Sequence, residues 1–511
     1  MTQHLEIERK YDADSHFVLP DLTDLPGCAS VSAPETHHLV ARYFDTDDFR
    51  LAGRSITFRR REGGEDAGWH VKIPAGRDAK KEIRAPLDGS DPPGTLTDLV
   101  AGCLRGHALS PVATLETHRT VVRLLDADGR MLAEVADDAV SGEVLTTEDT
   151  ALSTWREIEV ELGPAGSPEL LKAVGQRLRL SGARRAGSHS KVGRLLETHG
   201  AVPAKHAARP SRQPRTAGAV AIAYLAAQLE ALAVYDPKAR LAEPDAVHRM
   251  RVAVRRIRSL LKSYGPVLDR ARTDALQPEL KWLADGLGEV RDLEVLCERF
   301  SGRLRDLPAE VSRHRGWLDA MTAQEREAYR RVNANLNSRR YFDLLDALDR
   351  LVAEPPYTDR AGLDAAREVP RLVIRAWHRL ARAYELIAGL DDPAEIDLAR
   401  HEARKDAKRA RYAAEAATAA LGRPAARVAA QAKKVQEVLG GYQDGVIAQE
   451  RLALAAASAA PEELFTLGVL SGIEYCAAQE ALREIPEVWR QVTHPRHLKP
   501  LLTQADTSPG P

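Results

Sequence analysis

With 511 residues, 44% of them hydrophobic, the chain holds enough apolar material for two or more cored domains. Its formal net charge of −1 averages very uneven segments, so the places where Lys and Arg cluster matter more than the sum. The four cysteines, Cys28, Cys103, Cys297 and Cys476, form no C-x-x-C pair, which argues against a zinc site or a disulfide scaffold and fits a reducing compartment.

The chain opens on MTQHLEIERK, which lacks the apolar core of a secretory signal. No stretch approaches the roughly 18 uninterrupted apolar residues of a membrane span, so a soluble, cytoplasmic protein is expected. From Leu5 to about Lys191 the dominant period is two. The segments LEIERKY, RSITFRRR, GWHVKIP, KKEIRAPL, HRTVVRLL, RMLAEVADD and WREIEVEL are short, alternating and separated by Gly, Pro or Asp turns. That pattern predicts the strands of an antiparallel sheet or barrel.

Alternation assigns faces, because residues i, i+2 and i+4 of a strand point the same way. Glu6, Glu8 and Lys10 share one face, and so do Glu157, Glu159 and Glu161. Arg59 and Arg61 align on another strand, as do His70 with Lys72, Lys80 with Glu82 and Arg84, Thr117 with Arg119, and Glu134 with Asp138. A solvated surface would explain any one of these faces. Stacked acids such as Glu157 and Glu159, however, repel unless a cation lies between them. The charged faces also segregate by sign, acids at both ends of the segment and bases between. Strands closed into a barrel would turn these faces inward around a ligand and leave the apolar faces to pack against helices. A hard divalent ion such as Mg2+ or Mn2+ takes carboxylate oxygens, which Glu6, Glu8, Glu157 and Glu159 supply. A polyanion bridging that ion takes the bases Lys10, Arg59, Arg61, Lys72, Lys80, Arg84 and Arg119.

The run E-I-E-R-K at Glu6–Lys10 resembles the ExExK signature of the CYTH, or triphosphate tunnel metalloenzyme, superfamily. The likeness continues in order through FRR at Phe58–Arg60, VK at Lys72, D-x-V at Asp138–Val140, E-I-E at Glu157–Glu159 and SHSK at Ser188–Lys191. It implies an eight-stranded tunnel, a divalent metal and hydrolysis of triphosphate-containing substrates, with Glu6, Glu8 and Lys10 at the catalytic centre. By position it places Glu6, Glu8, Asp138, Glu157 and Glu159 on the metal side, and Lys10, Arg59, Lys72, Lys80, Arg119 and Lys191 on the phosphate side. Thr57 stands where relatives usually carry an arginine, and Thr117-His118-Arg119 where they often carry Lys-x-Arg. The two missing cations bear on substrate grip, substrate preference and turnover.

Residues 199–216, rich in Pro, Ala and Arg, read as a linker. From Ala217 to about residue 492 the sequence is Ala-, Leu- and Arg-rich with period 3.6, which predicts an all-α domain, and 493–511 reads as a flexible tail. This half repeats itself. His248-x-x-Arg251-x-x-x-Arg255-x-x-Arg258 recurs as His401-x-x-Arg404-x-x-x-Lys408-x-x-Arg411. Each copy is followed by a second matching block, KWLADGLGEVRD from Lys281 and KKVQEVLGGYQD from Lys433, so the unit is duplicated into two related halves. At about 100° per residue each set falls within a narrow arc of its helix, with Ala253, Val254, Ile257 and Leu261 opposite. Lys405 joins the second stripe, and Lys281 and Lys433 extend the patch from neighbouring helices. Stacked cations repel, so the arrangement calls for an anionic ligand or for acids such as Asp292 and Asp444 as partners.

The blocks VHRMRVAVRRIRSLL, LGEVRD, HEARKDAKRARYAAE and LGGYQD resemble the CHAD, or conserved histidine α-helical, domain. That resemblance implies binding of inorganic polyphosphate between two pseudo-symmetric helical halves. Nucleic acid, the rival polyanion, is disfavoured, because only 5% of residues are aromatic and no stacking platform or recognition motif accompanies the stripes. The expected whole is a tunnel domain over 1–198 that hydrolyses inorganic triphosphate, followed by a helical domain over 217–492 that binds polyphosphate, in the cytoplasm or at polyphosphate granules. The alternatives are a non-catalytic polyphosphate-binding protein and an enzyme for a nucleotide or thiamine triphosphate.

Overall fold

The structure, a computed structural model, describes residues 1–76, 78–145, 152–201 and 213–506. Most of the expected linker (202–212) and the end of the expected tail (507–511) lie outside the described residues. The chain forms two compact units, Met1–His206 and Ala207–Pro511.

The first unit is a closed antiparallel barrel. Its strands are β1 (Thr2–Ala13), β2 (Ser30–Val31), β3 (Glu35–Asp45), β4 (Thr57–Glu62), β5 (Gly68–Pro74), β6 (Ala79–Ala85), β7 (Ser110–Leu125), β8 (Met131–Val144), β9 (Ser153–Leu162) and β10 (Arg184–Arg185). Eight of them run in the circuit β1-β6-β5-β4-β3-β7-β8-β9, and β9 returns to β1; the two-residue strands β2 and β10 hang on β7 and β1. All seven alternating segments are strands, and β3 adds one that mixes polar and apolar residues on both faces. Helices cover the apolar outer faces. Helix α1 (Pro168–Leu180), capped by Ser167, buries Leu170, Leu171, Val174 and Leu178 against Tyr11, Val135, Ile158 and Val160. Helix α2 (Lys191–Thr198) buries Val192, Leu195 and Leu196 against Val112, Leu115, Val140 and Val144. Outward apolar faces therefore form the core, and the charged faces are left to line the inside.

The second unit is helical. Leaving aside single turns, its helices are α3 (Ala217–Arg240), α4 (Ala246–Ser263), α5 (Leu276–Arg305), α6 (Gly316–Leu336), α7 (Arg339–Ala353), α8 (Ala365–Glu385), α9 (Pro393–Leu421), α10 (Arg423–Ala456), α11 (Pro461–Val492) and α12 (Lys499–Asp506). The duplication is visible as α3-α4-α5 and α8-α9-α10: α4 packs on α3 and α5, α9 packs on α8 and α10, and α4 and α9 touch each other. Ala253, Val254, Ile257 and Leu261 are buried, as their side of the helix required. Gly422, at φ +61°, ends α9 and starts α10, a backbone conformation that a Cβ would oppose.

One expectation needs correction. The stretch expected as a flexible tail instead holds a 3-10 turn at Pro495–His497 and helix α12, and it buries His497 and Leu501 against the unit. Among the described residues one helix, α3, is long and apolar enough by length and composition to cross a membrane. In this fold its Val220, Ala221, Leu225 and Leu232 are core residues, and its buried Arg240 pairs with Asp236.

Candidate functional site

The inward faces of the barrel enclose a cavity of about 370 Å3. Glu6, Glu8, Lys10, Arg59, Arg61, Lys72, Lys80, Arg84, Arg119, Glu159 and Lys191 all line it, and Asp138 and Glu157 are buried in its wall. Register decides which of them meet. In the β1–β9 pair Glu8 lies opposite Glu161 and Lys10 opposite Glu159; in the β8–β9 pair Asp138 lies opposite Glu157; in the β7–β8 pair Arg119 lies opposite Asp138.

The acids therefore form two groups where the sequence suggested one. Oxygen atoms of Glu6, Glu8 and Glu161 lie within 4.8 Å of one another, and so do those of Asp138, Glu157 and Glu159. A cation from the chain serves the second group: Lys191 Nζ is 2.8 Å from Asp138, 2.9 Å from Glu157 and 2.6 Å from Glu159. Arg119 donates two bonds of 2.7 Å to Asp138 and one of 2.6 Å to Glu159, and Lys10 also donates to Glu159. Ser190 places Lys191 there. Its hydroxyl caps α2 by accepting from Gly193 N at 3.0 Å, which sets Lys191 in the first turn.

The first group is less well neutralised. Lys72 donates to Glu6 at 2.6 Å and Lys80 Nζ is 2.8 Å from Glu8. Burial holds the Glu6 carboxyl above its ordinary value, with Lys72 opposing and Glu82 and Glu8 adding to the rise. Glu161 is pushed up to about 8, by burial first and then by Glu6 and Glu8, with Lys72 opposing. Glu8 goes the other way: burial works against its charge, but Lys10, Lys72 and Lys80 outweigh it and bring it to about 2. Three converging carboxylates, Glu6 and Glu8 buried and Glu161 partly exposed, with Glu6 and Glu161 costly to ionise, fit a hard divalent cation. The second group is already saturated. Against the cost of burial, Lys10, Lys191 and Arg119 hold the Glu159 carboxyl well below the carboxylate range, and Lys191 and Arg119 lower Asp138 likewise.

Beneath the remaining bases lies Glu82, with no exposed surface. It accepts from His70 at 2.8 Å, stands 3.5 Å from both Arg59 and Lys72, and takes a bond from Arg84. Arg61 pairs with Asp66. Glu82 and Glu161 were visible as members of charged faces, but alternation alone assigns neither a partner. Thr57 lines the cavity opposite Lys72, and Thr117 is buried opposite Val140.

In the helical unit the two stripes converge. Lys408 is pushed down to about 7, by burial first and then by Arg404, Arg255 and Arg251. Burial, with Arg251 and Arg404, lowers Arg255 as well. The Nε atoms of Arg255, Arg258 and Arg404 are buried without a hydrogen-bond partner among the described residues. The anticipated acids take one arginine each: Arg251 donates to Asp292 at 2.9 Å and Arg404 to Asp444 at 3.1 Å. Matching glycines make room for these guanidiniums. A Cβ on Gly288 would come within 3.2 Å of Arg251 Nη2, and one on Gly440 within 3.4 Å of Arg404 Nη2. His248 lies beside Arg291 and Arg255, and burial lowers its pKa. His401 is half-buried on α9, and Arg411 binds Glu415 at 2.7 Å. Lys281, Lys405 and Lys433 are exposed, and each pairs along its own helix, with Asp285, Glu402 and Glu437. An acid within one turn gives each a nearer partner than the cluster does.

Comparison with known proteins divides the chain in the same way. The CYTH domain profile matches residues 4–195 and the CHAD domain profile residues 223–453. The uncharacterized protein Rv2226 of Mycobacterium tuberculosis is 36% identical over 512 aligned positions, which cover 96% of each chain. Among solved structures, PptA from Streptomyces chartreusis aligns at 22% identity and a TM-score of 0.45, covering 54% of this chain and 99% of that one. The CHAD domain from the plant Ricinus communis aligns at 22% identity and a TM-score of 0.39, covering 60% of this chain and 97% of that one.

Proposed function

From the premise that this chain belongs to the proteins that join a CYTH domain to a CHAD domain, we propose that it hydrolyses inorganic triphosphate in the barrel and binds inorganic polyphosphate on the helical unit. Members of the CYTH family act as triphosphatases or cyclases and use divalent metals, which supports a metal-dependent triphosphate chemistry here. The observation that carries the finer reading is the cavity itself, where one acid group without enough cations shares the lining with eight lysines and arginines.

The barrel's residues would divide the work. Glu6, Glu8 and Glu161 would hold Mg2+ or Mn2+; when bound, the ion supplies positive charge to the anhydride oxygens and makes a water easier to deprotonate. Arg59, Arg61, Lys72, Lys80 and Arg84 would grip the phosphate oxygens and balance the charge that develops on the leaving phosphate. Arg119 and Lys191, fixed by Asp138, Glu157 and Glu159, would set the wall on which the substrate rests. Burial of Glu6 and Glu8 limits the access of bulk water to that end of the cavity.

Release of phosphate from tripolyphosphate with Mg2+ or Mn2+ tests the reading, with nucleoside and thiamine triphosphates as competing substrates. Equal, negligible release by wild type and by Glu6→Ala/Glu8→Ala would end the enzyme reading. Thr57, which lines the cavity without a charge, favours a second reading in which the barrel binds and does not turn over; the same assay separates the two. For the helical unit, the convergence of Arg251, Arg255, Arg404 and Lys408 supports polyphosphate binding. A cytoplasmic location beside polyphosphate stores accompanies that proposal.

A further inference from the structure

The helical unit holds a second basic cavity that the paired stripes do not account for. It measures about 450 Å3 and is lined by Lys262 from the end of α4, Arg270 beyond the following turn, Arg375, Arg379 and Arg382 of α8, and Arg409 of α9. Asp406 accepts from Arg379 at 2.9 Å and also from Arg409. Arg270 reaches Asp274 only at 3.8 Å. Lys262, Arg375 and Arg382 have no ion-pair partner among the described residues. The hydroxyl of Ser263, in the same wall, is buried without a hydrogen-bond partner there. Burial, and after it Arg258, Arg409, Arg379 and Arg270, hold Lys262 below its ordinary pKa, so these charges feel one another.

The internal duplication provides a comparison within one molecule. Lys262 stands four residues beyond Arg258, the last member of the first stripe; four residues beyond Arg411, the last member of the second, stands Glu415. Glu415 binds Arg411 at 2.7 Å, pairs with Arg256 at 2.8 Å and accepts from Tyr224 at 3.3 Å. Arg256 is itself the counterpart of Arg409, two residues before the last arginine of its stripe. The helix preceding each stripe differs in the same sense: α3 has no Lys or Arg before Lys238, whereas α8 presents Arg375, Arg379 and Arg382. A neutralised arrangement is therefore compatible with this packing, and the fold does not require the cations beside Lys262. Unrelieved like charge costs stability, and a multivalent anion relieves it.

We propose that this groove is a one-sided extension of the anion path, a docking segment for a linear phosphate chain that runs from the converged stripes past Arg258 and Lys262 onto the arginines of α8. The inference rests on the polyphosphate reading of the helical unit and adds chain-length discrimination to it. Short chains are held by the paired stripes, and longer ones also reach the groove.

The test is calorimetric titration of the full chain with short and long polyphosphate. Arg375→Glu with Arg382→Glu changes two exposed, unpaired side chains. This variant should lose roughly tenfold or more in affinity for the long chain and keep wild-type affinity for the short one. Unchanged long-chain affinity in that variant, with loss in Arg251→Ala/Arg404→Ala, overturns the groove and leaves the stripes standing. If wild type and the stripe variant alike bind no long chain, the polyphosphate reading falls and takes the groove with it. An equal loss for a single-stranded oligonucleotide would overturn the assignment to a bare phosphate chain.

Discussion

Lys72 on β5 donates to Glu6 on β1, over the intervening β6, at 2.6 Å, so a cation suited to phosphate rests on an acid suited to a metal. The same holds for Lys80 at Glu8. Substrate and metal would separate these pairs, each partner exchanging an ion pair inside the protein for a contact with a ligand of opposite charge. Lys72 with Glu6 and Lys80 with Glu8 are held in position by internal pairs that a metal–phosphate complex can replace in kind.

Lys72→Met should therefore act in two directions. Without substrate, Mg2+ or Mn2+ should bind more tightly by calorimetry, because Glu6 loses a competing cation. With tripolyphosphate, KM should rise by roughly tenfold, the cost of one charge-assisted phosphate contact. Weaker metal binding in the variant would contradict the assignment of Glu6 to the metal.

The Glu161 carboxyl, at about 8, sets a pH dependence. Its folded pKa lies above the unfolded value, so the folded chain holds this proton more tightly and the group's contribution to stability falls as pH rises from about 4.5 through 8. A divalent ion must displace the proton. Metal affinity should increase between pH 6 and 8.5, roughly tenfold per unit in the steepest part, with proton release seen as a buffer-dependent heat. Glu161→Gln should flatten that dependence.

Lys408, at about 7, has the opposite sign. The unfolded chain binds the proton more tightly, so this group's contribution to stability grows as pH rises from about 7 towards 10.5. An anion among the stripes would restore its charge. Polyphosphate binding at pH 8 should take up a proton, and Lys408→Met should remove that uptake.

The stripes should act as one cluster. Arg251→Ala with Arg404→Ala should abolish most polyphosphate binding, and wild-type binding should weaken steeply with salt. Gly288→Ala, whose methyl would press on the Arg251 guanidinium, should weaken binding by a smaller factor with little change in helix content by circular dichroism.

Ser190→Ala removes the cap that sets Lys191. A loss of roughly 0.5–2 kcal/mol in chemical denaturation is expected. Phosphate release should fall further than stability predicts, since Lys191 bridges Asp138, Glu157 and Glu159.

Local patterns made much of this legible. A two-residue period places Glu6, Glu8 and Lys10 on one face, and it placed every charged strand face inside the barrel correctly because burial of the alternate residues leaves no other arrangement. A 3.6-residue period did the same for the stripes. The repeat also offered Asp292 and Asp444 as acids for the stripes, and they pair with Arg251 and Arg404.

Grouping was another matter. The acids of β9 divide between two clusters because antiparallel register sets Glu8 against Glu161 and Lys10 against Glu159, and register depends on turn lengths and packing elsewhere in the chain. Lys191 reaches the second cluster only because α2 docks on the outside of the barrel through Val192 and Leu195. Which side chains face inward, and that they carry charge, follows from periodicity, a property of neighbouring residues. Which charges neutralise one another and which await a ligand emerges on folding, since Coulomb interactions depend on distances between residues far apart along the chain.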